Sequence, residues 1–138
     1  MSVLVLIGRI IFAALFLVSA VGHLTRTKMM AGYAGSKGVP LPWLSVFGSG
    51  ILILLGGLSL LLGIWADLGA LLVAVFLFPT AVLMHGFWRL SGEARMMEQT
   101  QFMKDTALGG AAVMLFGLIS FAGHGLGLTL TGPLFHLH

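Results

Sequence analysis

A chain of 138 residues that is 59% hydrophobic and 8% charged cannot clothe a soluble surface, since a soluble domain carries about 25% charged residues. The continuous apolar runs also lack the alternation of a β-barrel strand, so composition points to an α-helical integral membrane protein. With no cysteine, disulfides, thiolate catalysis and Cys-ligated metals are excluded, and the net charge of +3 is too small and scattered for nucleic-acid binding.

Four apolar segments, at about 3–22, 44–64, 68–88 and 104–122, are each long enough to cross a bilayer. Joined by short connections, they predict an all-α, up-and-down, four-helix membrane bundle occupying 1–138 as one domain. The first segment also resembles a signal peptide, with Arg9, the run "IIFAALFLV" and a small-residue site at Ala20; it is read here as the first span. Arg9 lies roughly six residues inside it, about 9 Å along the helix. A charge at the centre of a membrane helix costs about 2.5–3.5 kcal/mol, so Arg9 either snorkels to the headgroups or finds a partner. Asp67 is the one carboxylate expected at that membrane face, which makes an Arg9–Asp67 pair the natural candidate.

The first loop carries Arg26, Lys28 and Lys37. The second span is flanked by Trp43 and Trp65, which suit interfacial anchoring, and is interrupted by Gly56 and Gly57. In the third span, Ala66, Ala70 and Ala74 form an i, i+4 row beside Gly69, a pattern that lets helices approach closely, within the bundle or between copies in a homo-oligomer. Pro79 should kink this span. If its helix continues to Trp88, His85 and Arg89 share a face. The third loop carries Arg89, Arg95 and Lys104, with Glu93 and Glu98 expected to balance charge in solvent. Ala107 and Ala111, beside Gly109 and Gly110, predict a second small-residue row. The tail from 123 to 138 is too short for a fifth span and is read as an interfacial turn or short helix.

Parity places loops one and three on one side, with six Lys and Arg against Arg9 alone on the other. The positive-inside rule makes those loops cytoplasmic and both termini external, in a cell inner (cytoplasmic) membrane. The same parity gathers His23, Lys28, His85, Arg89 and Lys104 at one face. Either these residues trim helix ends or His23, His85, Trp88, Arg89 and Lys104 contact a ligand. Imidazole and guanidinium suit a quinone carbonyl or a lipid phosphate. Trp88 reads first as an anchor. Haem between His23 and His85 is disfavoured, because both lie at helix ends rather than inside the bundle. His136 and His138 make no metal site by themselves. No nucleophile elbow, phosphate loop or metalloprotease motif is present, so no catalytic residue is assigned.

The chain resembles the DoxX family of small four-span membrane proteins over nearly its whole length. "GRIIFAALFLVSAVGHL" resembles the family's opening helix and "KGVPLPWL" its first loop. "LLGGLSLLLGIWADLGALLV" resembles its Gly-punctuated second helix. "HGFW" followed by "QFMKDTALGGAAVML" resembles its aromatic stretch and the start of its last helix. Arg9, His23, His85, Trp88, Phe102 and Lys104 match recurring positions, whereas Ile53 stands where many members place a Glu. The family takes its name from a small subunit associated with a quinol oxidase, and relatives are linked to thiosulfate:quinone oxidoreduction. The resemblance implies an auxiliary, non-catalytic membrane subunit beside a quinone-linked redox complex. The other reading is a small-molecule or lipid-binding bundle, or carrier, acting on its own.

Overall fold

The computed structural model describes residues 2–138. Helix α1 spans Ser2–Thr25, α2 Thr27–Ser36, α3 Pro42–Leu62, α4 Ala66–Met84 and α5 Gly92–Ala122, followed by a 3₁₀ turn at Gly123–Leu126. Among the described residues, α1, α3, α4 and α5 are long and apolar enough to cross a membrane. Large apolar side chains such as Leu4, Ile11, Val18, Leu55, Val82 and Phe121 remain exposed on their outer faces. That is the surface of a protein whose solvent is lipid, and the chain is an integral membrane protein.

Local chemistry sets the boundaries. α1 and α2 are separated only by Arg26, where Thr25 and Thr27 turn their hydroxyls back to the Val21 and His23 carbonyls at 2.6 Å. Pro42 opens α3, where a missing N–H costs nothing. Gly63 closes it with φ of +68°, the left-handed cap that favours glycine. Ser59 Oγ then lies 2.6 Å from the Ile64 carbonyl oxygen and 2.9 Å from that of Trp65, which folds the tight link into α4.

The main packing runs α1 on α3, α3 on α4 and α4 on α5. Ala13, Phe16, Ala20, Ile53, Leu60, Ala70, Val73 and Leu77 form much of its core. At the α3–α4 crossing the backbones nearly touch: a Cβ on Gly69 would meet the Gly56 carbonyl oxygen at 2.9 Å, and one on Gly56 would meet that of Gly69 at 3.1 Å. Gly69→Val is therefore expected to cost about 1–3 kcal/mol through overpacking, read as a lower midpoint in detergent unfolding. Gly110→Ala, which meets open space, should leave the midpoint unchanged.

Several expectations are corrected. The third helix stops at Met84 instead of reaching Trp88, with His85 as its cap. His85 and Arg89 thus share no helix face. The first loop contains a helix, α2, and most of the third loop is the opening of α5. The face that α5 buries runs through Asp105, Gly109, Ala112 and Ile119, while Ala107 is exposed. Phe78 explains the choice: its ring occupies the space a Cβ on Gly109 would fill, 2.9 Å away.

Candidate functional site

α1 packs chiefly on α3 rather than on α4 or α5, and a gap lies between α1, α4 and α5 in front of α3. It is a cleft of about 840 Å³. Most of its wall is apolar, including Phe16, Leu52, Phe76, Leu77 and Leu108. Its ionisable side chains include His23 near the end of α1, His85 capping α4, and Lys104 and Asp105 in the interior of α5.

His23 is held by α3. Its Nδ1 lies 2.9 Å from Ser49 Oγ and 3.2 Å from the Val46 carbonyl oxygen. Its ring meets Phe76 edge-on, with centroids 5.7 Å apart. Gly50 makes this approach feasible, since a Cβ there would stand 2.9 Å from the His23 Cβ. His85 sits between two carboxylates of α5. Nδ1 is 2.8 Å from Glu98 Oε2 and Nε2 is 3.7 Å from Asp105 Oδ2. Glu98 and Asp105 are seven residues apart, two helical turns, and so face the same way.

Glu98 also ties the polar end to the first loop. Its Oε1 accepts a 2.6 Å bond from Lys37 Nζ, and that bond holds the Lys37 ammonium above the usual lysine range. The carboxylate is half-buried rather than loosely solvated. Lys104 Nζ lies 3.6 Å from Asp105 Oδ1 and donates to Gln101 Oε1 at 2.5 Å.

Of the five residues expected to contact a ligand, His23, His85 and Lys104 line the cleft; Trp88 and Arg89 are not on its wall. Trp88 packs on Phe87 and Phe102 at centroid distances of 5.4 and 5.7 Å, clamping the segment after α4 onto α5. Arg89 is exposed. Asp105 and Ser49 went unassigned in the sequence, and Glu98 was expected only to balance charge in solvent. The signal for the two acids was their seven-residue spacing, with Asp105 the lone acid at the head of the fourth apolar run.

The opposite end holds a second polar assembly. Arg9 is 1% exposed and donates to three carbonyl oxygens: Leu60 at 2.9 Å, Leu128 at 3.0 Å and Leu61 at 3.3 Å. Asp67 is fully buried and accepts from the backbone N–H of Leu134 at 3.0 Å and of Phe135 at 2.6 Å. The expected Arg9–Asp67 pair does not form. The tail supplies partners to both residues instead.

The DoxX family model matches residues 4–86, from α1 to the end of α4 and with His23 and His85 included. Inner membrane protein YphA of Escherichia coli (strain K12) is 26% identical over 113 residues, covering 82% of this chain and 81% of that protein. No solved structure matches the chain.

Proposed function

The chain belongs to the DoxX family, and on that premise we propose that it binds a lipophilic small molecule in the cleft between its helices, as a non-catalytic membrane protein. The observation that carries this reading is the cleft itself, about 840 Å³. Small-molecule sites are about 300–1,000 Å³, mostly apolar, with a few placed polar groups. An aliphatic tail fits the wall of Phe16, Leu52 and Leu108, and a headgroup meets His23, His85, Asp105 and Lys104. A quinone or a lipid has that division of character. Val75, Pro79 and Leu83 of α4 line the cleft and are solvent-accessible, so the cleft is open at that wall, which supports entry from the bilayer.

Ser19, on the cleft wall of α1, offers the test. The protein extracted with its native lipids should retain a lipophile near one equivalent, identified by mass spectrometry of an organic extract. Ser19→Trp should cut retention about tenfold, the effect of losing about 1.4 kcal/mol of binding, with helical content unchanged. Equal retention by both proteins would overturn the reading.

A second reading, an auxiliary subunit docked to a quinone-linked redox complex, draws on the exposed cations at the same end: Arg26, Lys28, Arg89 and Arg95. These would also be the cytoplasmic face of an inner-membrane protein under the positive-inside rule. Purification in mild detergent with a redox partner would favour this reading, and isolation alone or as a homo-oligomer would count against it.

A further inference from the structure

The polar end of the cleft is rich in groups that can only accept a hydrogen bond. Asp105 has a side chain 8% exposed, lines the cleft and accepts no hydrogen bond among the described residues. Its nearest side-chain nitrogens, Lys104 Nζ at 3.6 Å and His85 Nε2 at 3.7 Å, stand outside hydrogen-bonding reach. A buried carboxylate in that state is costly unless a donor reaches it. His23 adds a second polar group. Its Nδ1 is engaged by Ser49 Oγ and the Val46 carbonyl oxygen, which leaves Nε2 without a hydrogen-bond partner among the described residues. The wall hydroxyls point the same way. Ser45, Ser49 and Thr80 donate to the carbonyls of Pro40, Val46 and Phe76 at 2.6, 2.9 and 2.7 Å, leaving only their oxygen lone pairs for the cleft. The hydroxyl of Ser19, also on the cleft wall, makes no hydrogen bond among the described residues and can serve in either role.

We propose that this end of the cleft is a receptor for a neutral hydroxyl headgroup, an alcohol or phenol on a lipophilic tail, with the Asp105 carboxylate as the principal acceptor. The inference rests on the reading that the cleft takes a lipophile and specifies the chemistry of its head. An amine is disfavoured because Lys104 already places an ammonium beside Asp105, and His85 turns its Nε2 there too. A phosphate or carboxylate would be repelled by Asp105 itself. A headgroup with only acceptors, such as an ether, would leave Asp105 without a donor. Glu98, fixed by Lys37, holds His85 in place behind Asp105 and so acts as a positioning residue.

The test compares three probes with one tail: 4-dodecylphenol, its methyl ether and dodecylamine, titrated into the full chain in lipid nanodiscs. The wild-type protein should bind the phenol at least about tenfold tighter than the ether, the effect of one hydrogen bond to a charged acceptor. Asp105→Asn should shrink that preference to about threefold or less while leaving ether affinity unchanged. The wild-type comparison stands even where the variant fails to fold. Equal binding of phenol and ether, or tightest binding of the amine, overturns the hydroxyl receptor and leaves the lipophile reading intact. Binding of none of the three overturns the lipophile reading itself.

Discussion

Arg9→Met is expected to destabilise the protein by about 3 kcal/mol, read as a lower midpoint in detergent-induced unfolding. The Leu60 and Leu61 carbonyls belong to the last turn of α3, where no helical N–H is left to reach them. Arg9 supplies those donors from the neighbouring helix and also places a cation at the negative end of the α3 dipole. Its third bond goes to Leu128 in the tail. Each hydrogen bond involving a charged group is worth about 1.5–3 kcal/mol, and three of them outweigh what is recovered by no longer burying the charge. Gly63 belongs to the same device: a Cβ there would stand 2.6 Å from Arg9 Nη2. Arg9→Lys should recover less than half of the loss, because an ammonium is a point donor and cannot span carbonyls on two segments as a planar guanidinium does. A change within about 1 kcal/mol for Arg9→Met, smaller than one charged hydrogen bond, would show that the carbonyls find other donors.

What the sequence made legible follows the size of each physical signal. Four spans were readable because a bilayer requires about 20 apolar residues per crossing, and little else in this chain imitates that run. Parity placed His23, His85 and Lys104 at one end, and the cleft does unite them. Parity fixes the membrane face of a group but not its partner, which is why the Arg9–Asp67 pair failed. The end of α4 was obscured because Phe87 and Trp88 continue the apolar run past the true stop. Their rings instead fasten the chain to Phe102 on α5. α2 was hidden for the opposite reason: "TKMMAGYAGS" is short, weakly apolar and interrupted by two glycines, so no periodicity marks it. Ile53 is wholly buried in the main core, and the acid of the cleft, Asp105, comes from α5.

The tail is the part least legible of all, because Asp67 recognises it through backbone amides that every residue but proline carries. Asp67→Ala should release it. Hydrogen exchange at the Leu134 and Phe135 amides is expected to rise about a hundredfold, the equivalent of about 3 kcal/mol for two charge-assisted bonds. The amides of α1 and α3 should keep their protection. Asp67→Asn should fall between, since one side of the amide still accepts while the other presents a donor to a donor. Other anchors resist complete release: Thr131 N–H donates to the Gly63 carbonyl at 3.1 Å, Trp65 N–H donates to Thr131 Oγ1 at 2.9 Å, and Phe135 rests on Phe116. Arg9 holds the same tail at Leu128. Arg9→Met and Asp67→Ala are therefore expected to be non-additive, the second costing less once the first has loosened the segment. A double-mutant cycle in exchange protection measures that coupling. Strict additivity would mean that the two charges, though both bonded to the tail, act on independent pieces of it.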